Sequence, residues 1–138
     1  MMVLVDTPVW SIAFRRRRGD LHERQRGLRE VLENLIAEGR VALLGAIRQE
    51  LLSGIREERQ FQRLRNLLRA FPDVDLSIED YEEAARFGNL CRTAGVATSP
   101  VDLLICAVAH RRDWQILTVD QDFVRYGKHL PIRLLDVT

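Results

Sequence analysis

Short apolar and β-branched runs alternate with helical patterns along the whole chain. Strands are predicted at residues 2–5, 40–44, 74–76, 115–119 and 132–137, with segments of helical spacing between them. A chain that alternates strand and helix in this way builds a parallel sheet covered by helices on both faces. We therefore predict an α/β fold in three layers, α/β/α. No repeat or linker interrupts the pattern, which predicts one domain over residues 1–138.

Capping signals predict where several helices begin and end. Thr7 is predicted to be an N-cap, with Pro8 at the first helical position. Ser77 and Ser99 are each predicted to open a helix through a capping box, which Asp102 would complete in the second case. Helix stops are predicted at Gly39, Gly54 and Gly95.

The charge of the chain gives no global attraction to nucleic acid, because the formal net charge is only +1. Any basic surface must therefore be local. Lys128 is the only lysine among 21 basic residues. Arginine suits bidentate phosphate contacts, although genomic base composition explains the excess equally well.

The cellular compartment is predicted from the cysteines and the N-terminus. Cys91 and Cys106 fall within helical patterns and form no Cys-x-x-Cys pair, which predicts buried, inert thiols in a reducing compartment. The first residues lack the features of a signal peptide, and no apolar run approaches the ~20 residues of a membrane span. We predict a soluble, cytoplasmic protein with no membrane partner.

Four acidic residues lie beside strand or helix signals where each would reach one edge of the sheet: Asp6, Glu50, Asp102 and Asp120. Ligands of open α/β sheets bind outside the carboxyl ends of the strands, where the strand order reverses. Two unit charges ~4 Å apart repel by about 4 kcal/mol at an effective dielectric near 20, so gathered carboxylates need a cation or must stay partly protonated. Mg²⁺ or Mn²⁺ meets that need because both prefer oxygen ligands, and such sites catalyse phosphoryl chemistry.

Each acid also has an ordinary structural interpretation. Asp6 would favour the positive end of the first helix, and Asp102 would complete its capping box. Glu50 would be a solvated helix residue, while Asp120 and Asp122 would be turn formers. Other site classes lack their motifs, since the chain has no zinc-binding spacing, glycine-rich phosphate loop or Gly-x-Ser-x-Gly elbow.

Four segments together resemble the PIN-domain ribonucleases, and specifically the VapC-type toxins of prokaryotic toxin–antitoxin pairs. The matching segments are residues 3–10 (VLVDTPVW), 50–54 (ELLSG), 102–107 (DLLICA) and 117–123 (LTVDQDF). They follow the family's order and spacing, and together they are far more specific than any one of them.

The resemblance implies a parallel sheet of about five strands in the order 3-2-1-4-5, with Asp6 and Asp120 at the central reversal. It implies cleavage of transfer RNA or another structured RNA with Mg²⁺ or Mn²⁺. It also implies a homodimer, a small antitoxin that inhibits the toxin, and a higher assembly with that antitoxin. The implied catalytic and metal-binding residues are Asp6, Glu50, Asp102 and Asp120.

Further residues are assigned supporting roles. Thr7 and Thr118 are expected to orient carboxylates or waters, and Asp122 to support the ligands or to be a marginal ligand. The best candidates for RNA backbone contact are Arg15, Arg16, Arg17 and Arg18, although a solvated helix end explains that run equally well. Two positions depart from the family. Pro8 stands where serine is usual, and Cys106 stands where alanine is common.

Two alternatives and one partner surface complete the predictions. A receiver-like signalling domain would need a second acid beside Asp6, where the chain has Thr7. It would also need a lysine at another position than that of Lys128. A non-catalytic protein that binds a metal or a basic peptide fits the same acids. The apolar residues of the first helix and of the helix ahead of strand three predict either a groove for an antitoxin helix or simply core packing. These residues are Trp10, Ile12, Phe14, Phe61, Leu64, Leu67 and Leu68.

Overall fold

The computed structural model describes residues 1–137, apart from the side chain of Arg18. Three strands are β1 (Val3–Val5), β2 (Val41–Ala42) and β3 (Gln115–Leu117). The helices are α1 (Thr7–Phe14), α2 (Glu23–Ala37), α3 (Gly45–Leu52), α4 (Glu58–Leu68), α5 (Ile78–Thr93), α6 (Pro100–Arg112) and α7 (Asp122–Tyr126), with a 3₁₀ turn at Arg18–Asp20. None of the described helices has the length and apolar character needed to cross a membrane.

The sheet is parallel, with β1 between β2 and β3. Single parallel bridges extend it on both sides, from Leu43 to Asp73 and from Ile116 to Leu134. These bridges lie where the two outer predicted strands were expected, so the order agrees with the prediction. The predicted count of five strands was wrong, because the described residues form three strands and two isolated bridges.

The outer segments fail to become strands for a local reason. Pro72 and Pro131 lie at their starts and have no backbone N–H to donate to a ladder. Each segment therefore keeps only a few hydrogen bonds to its neighbour, such as Val74 N–H to the Leu43 carbonyl at 2.9 Å.

The helix ends agree with most of the capping predictions. Gly39, Gly54 and Gly95 adopt positive φ angles of 69°, 85° and 76°, which terminate α2, α3 and α5. The first N-cap was predicted one residue too late. Asp6 caps α1, because its carboxylate accepts the Thr7 N–H at 2.8 Å, so the residue that ends β1 also begins the helix.

The core surrounds β1, whose three residues have no exposed surface. One face of the core comes from α6, in which the five residues Ile105–Ala109 are buried, and α6 packs against α5. Cys91 and Cys106 are free and buried, as predicted, and burial raises the pKa of both thiols.

Two buried residues among those described are charged, and they have opposite surroundings: Asp6 and Asp80. Asp80 lies on α5 and accepts hydrogen bonds from Arg111 at 2.6 Å and from Arg112 at 2.8 Å, both on α6. The hydrogen bond from Arg112 is the largest of the effects that hold the pKa of Asp80 well below its usual range. The two arginines thus balance the charge of Asp80, and these ion pairs connect α5 to α6.

Candidate metal centre

Asp6 lies at the carboxyl end of the central strand and is only 5% exposed. One carboxylate oxygen accepts the Thr7 N–H, and the other accepts the Thr118 hydroxyl, both at 2.8 Å. Burial raises the pKa of Asp6 from 3.8 to about 6 against these two hydrogen bonds, and the charges of Asp102 and Asp120 raise it further. No ion pair among the described side chains reaches Asp6. A buried carboxylate in this position favours a bound cation.

The loop after β3 and the first residue of α7 carry two acids, Asp120 and Asp122, in a fixed arrangement. The Thr118 hydroxyl, which donates to Asp6, accepts the N–H of Asp120 at 3.0 Å. A carboxylate oxygen of Asp120 in turn accepts the N–H of Asp122 at 2.9 Å. This chain of hydrogen bonds couples the loop to the end of β1, so the acids of the two strands face one site.

Asp102 reaches the same site from the first turn of α6. The helix cap uses only its backbone, since the Ser99 hydroxyl accepts the Asp102 N–H at 3.2 Å. Its carboxylate accepts the hydroxyl of Tyr126 at 2.7 Å. Burial raises the pKa of Asp102, the Tyr126 hydrogen bond lowers it, and the charge of Asp120 raises it. Asp102 therefore does more than cap a helix.

Three carboxylates lie close enough together to hold one metal ion. Asp102, Asp120 and Asp122 each offer one oxygen, and these oxygens all lie within 4.8 Å of one another. Asp122 belongs to this group with two of the predicted ligands, although it also forms an ion pair with Arg125 on α7. The donors are all carboxylate oxygens, a set that suits Mg²⁺ or Mn²⁺ and suits Zn²⁺ poorly.

The remaining predicted acid, Glu50, lies beside this group on α3. It is exposed, and it accepts the Thr7 hydroxyl at 3.1 Å. Its negative charge raises the pKa of Asp102, which indicates that the two carboxylates are neighbours. Glu50 and Asp6 therefore border the three-carboxylate group rather than belonging to it.

Tyr126 is a site residue that the sequence reasoning missed. It is 2% exposed, and its ring packs against Phe123 with centroids 5.1 Å apart. Burial and the Asp102 hydrogen bond raise the pKa of its hydroxyl, so it remains a donor at neutral pH. The available signal was an aromatic pair at i, i+3 directly after Asp120 and Asp122.

The predicted RNA-binding arginines lie away from the carboxylates. Arg15, Arg16 and Arg17 are exposed at the far end of α1, about 12 Å along an eight-residue helix from Asp6. The side chain of Arg18 lies outside the described part of the chain.

Comparisons with known proteins agree on one fold. The family model of the PIN domain matches residues 3–129. FitAcB from Neisseria gonorrhoeae superimposes with a TM-score of 0.76 at 20% identity, over 99% of this chain and 98% of that one. VapBC2 from Rickettsia felis, bound to a promoter DNA fragment, gives 0.72 at 18% identity, over 99% and 98%. A toxin–antitoxin complex from Klebsiella pneumoniae gives 0.64 at 21% identity, over 88% and 89%. No curated protein sequence matches.

Proposed function

This chain belongs to the PIN domain family, and we propose that it is a metal-dependent endoribonuclease, the toxin of a toxin–antitoxin pair. The nuclease proposal rests on the three carboxylates Asp102, Asp120 and Asp122, whose oxygens lie within 4.8 Å of one another beside the buried Asp6. The toxin proposal is supported by the similar fold of a protein in a toxin–antitoxin complex. A receiver-like signalling domain is set aside by the family match.

We propose that Asp102, Asp120 and Asp122 hold Mg²⁺ or Mn²⁺, with Asp6 and Glu50 completing the acidic site. The bound ion would supply Lewis-acid stabilisation of the negative charge that develops on a phosphodiester during cleavage. The raised pKa of Asp6 supports a bound cation, because a positive charge would favour the ionised carboxylate.

Three hydroxyl groups hold the acids in position. Thr118 donates to Asp6, Tyr126 donates to Asp102, and Thr7 donates to Glu50. Hydrogen bonds of this kind fix the orientation of metal ligands and are costly to remove. We propose that they keep the carboxylates facing one point without a large rearrangement when the ion binds.

We propose that the substrate is RNA, bound across the carboxylates and the exposed arginines at the far end of α1. Arg15, Arg16 and Arg17 lie about 12 Å from the acids along α1, so an RNA backbone that reaches both would span a few nucleotides. Structured cellular RNA such as transfer RNA remains the proposed class.

The test of the nuclease proposal is cleavage of total cellular RNA by the purified, antitoxin-free chain. We expect cleavage with Mg²⁺, none in excess chelator and none by Asp120→Asn with Mg²⁺. Glu82→Gln, which neutralises an exposed acid of α5, is the control and should cleave like the wild type. Equal cleavage in chelator, or by Asp120→Asn, would remove the proposed mechanism.

We propose that the antitoxin docks between α1 and α4. A cavity of about 510 Å³ lies there, with Phe14, Leu64 and Leu67 in its wall. Leu67 is 45% exposed, whereas Trp10 and Leu68 are fully buried in the core. Fewer apolar residues are thus available to a partner than the sequence pattern alone predicted.

The rim of this cavity is basic. Four arginines line it with one glutamate: Arg15, Arg17, Arg56, Arg63 and Glu57. A helix that fits must carry apolar residues flanked by acidic ones, because complementary charge steers and selects the partner. Two arginines of the run predicted to contact RNA therefore also border the proposed antitoxin groove.

A further inference from the structure

A second cavity, of about 550 Å³, lies between α1, the first turns of α2 and the loop after β3. Thr118 is part of its wall. The same Thr118 hydroxyl donates to Asp6 at 2.8 Å and accepts the Asp120 N–H at 3.0 Å. A ligand in this cavity would therefore lie one side chain away from two acids of the proposed metal site.

The wall of this cavity combines apolar surface with a few polar groups. Ile12, Leu28 and Val119 supply the apolar part, and Gln25 and Gln121 supply amides. Pockets that bind small planar ligands have this composition, in which apolar contact gives affinity and a few polar atoms fix orientation. Single-stranded RNA offers such a ligand, because its unstacked bases are bound by stacking and by hydrogen bonds to their edges.

The polar groups at the mouth of the cavity are held in place by the cap of α2. Nδ1 of His22 accepts the Gln25 N–H, and Oε1 of Gln25 accepts the His22 N–H, both at 3.2 Å. These bonds use one acceptor on each side chain and leave the Gln25 amide N–H₂ as a fixed donor. The exposed guanidinium of Arg24 lies in the same wall and suits a phosphate next to a bound base.

We infer that this cavity binds one unstacked base of the RNA, next to the phosphodiester at the carboxylates. The inference rests on the proposed ribonuclease function and adds a subsite that selects the nucleotide beside the cleaved bond. The Gln25 amide, held by the α2 cap, is a donor of fixed position, so bases that present an acceptor to it are favoured over bases that do not.

Gly27 is a position from which a larger side chain can fill the cavity. It lies on α2 in the cavity wall, and a Cβ built there meets no atom within 4 Å. Gly27→Trp adds a large side chain to this wall, with no atom near its Cβ, and Gly27→Phe is a smaller filling variant. Gly27→Ala is the control for the loss of glycine. Ala37→Trp places the same ring on an exposed position ten residues further along the same helix.

Binding is measured by fluorescence anisotropy with labelled hexaribonucleotides of each of the four bases, in Mg²⁺. All proteins carry Asp120→Asn so that the RNA stays intact. We expect Gly27→Trp and Gly27→Phe to weaken the best-bound hexamer by about tenfold and to level the preference between bases, because the added side chain occupies the space of the base and removes its apolar contacts. Ala37→Trp should keep the affinity and the preference of the parent protein, and Gly27→Ala measures how much of any change comes from the loss of glycine alone.

Unchanged affinity and base preference in both filled variants would overturn the inference. A mononucleotide that binds as tightly as the hexamer would overturn it too, since the cavity would then be a site for free nucleotides. Cleavage of total RNA by the wild type and by the same Gly27 variants with Asp120 restored tests the proposed function separately. Normal cleavage with an unaffected base preference refutes only the subsite, whereas no cleavage by any of the proteins, Gly27→Ala included, refutes both.

Discussion

Asp6→Asn is expected to stabilise the protein at neutral pH when no divalent cation is present. Asp6 is 5% exposed and its pKa is raised from 3.8 to about 6, mainly by burial. The folded state therefore holds the proton more tightly than the unfolded state does. The resulting cost to stability is absent below pH 3.8, grows as the pH rises towards 6, and is complete above it.

The size of the effect follows from that pKa difference. The pKa of Asp6 rises from 3.8 in the unfolded state to about 6 in the folded state. At ~1.4 kcal/mol for each pKa unit, ionised Asp6 lowers the free energy of unfolding by about 3 kcal/mol at pH 7.5. Asparagine keeps an oxygen for the Thr7 N–H but loses the acceptor for the Thr118 hydroxyl, which costs about 1 kcal/mol. The net gain is about 2 kcal/mol at pH 7.5, and it should fall to near zero at about pH 4.5.

Urea denaturation of both proteins in excess chelator, at pH 7.5 and pH 4.5, measures this difference. Glu82→Gln removes a carboxylate from the exposed face of α5 and should match the wild type at both pH values. Mg²⁺ at a hundredfold excess over its dissociation constant should stabilise the wild type by about 2.7 kcal/mol. Asp6→Asn should gain less, because it lacks one negative charge beside the ion, so Mg²⁺ should narrow or reverse the difference. A less stable Asp6→Asn protein at pH 7.5 in chelator, or a gain that does not change with pH, would refute the reasoning.

Three further changes separate structural from functional roles. Asp80→Asn should destabilise the fold by about 1.5–3 kcal/mol in urea denaturation, since it removes the charge that holds two arginines, which are themselves 32% and 22% exposed; an effect below about 0.5 kcal/mol would contradict this. Tyr126→Phe should lower RNA cleavage about tenfold with little change in melting temperature, because Asp102 loses its hydroxyl donor, and wild-type cleavage would show that this hydrogen bond is not needed. Leu67→Glu should release a co-expressed antitoxin while cleavage persists, whereas Asn66→Glu, on the same helix but outside the groove, should retain the partner; retention by both variants would place the docking surface elsewhere.

The arrangement of the acids was predictable from sequence because it depends on the central strands. Asp6 and Asp120 follow buried apolar runs, and parallel strands bring their carboxyl ends to one edge. The helix stops were predictable for a similar reason, since glycine at positive φ is a local backbone requirement.

What the sequence missed depends on contacts between distant segments. The hydroxyl of Tyr126 donates to Asp102 across 24 positions of the chain, a contact that no local pattern encodes. The role of Thr118 was predicted only as orienting carboxylates or waters, and its partner, Asp6, lies 112 positions away.

The outer segments form single bridges rather than strands, because Pro72 and Pro131 supply no N–H at their starts and the rest of the pairing depends on the neighbouring strand. The N-cap of α1 is Asp6 rather than the predicted Thr7. One carboxylate oxygen of Asp6 accepts the Thr7 N–H, while the other accepts the Thr118 hydroxyl.

The measurement that tests the central claim most directly is a Mn²⁺ titration of the purified chain, followed by electron paramagnetic resonance of the free ion. If Asp102, Asp120 and Asp122 form the metal site, the wild type will bind Mn²⁺ and Mg²⁺ will compete for the same site. Asp120→Asn will bind at least about tenfold more weakly, since it loses a charged ligand, while Glu82→Gln will bind like the wild type. Wild-type affinity in Asp120→Asn, or no binding by the wild type, would contradict the account.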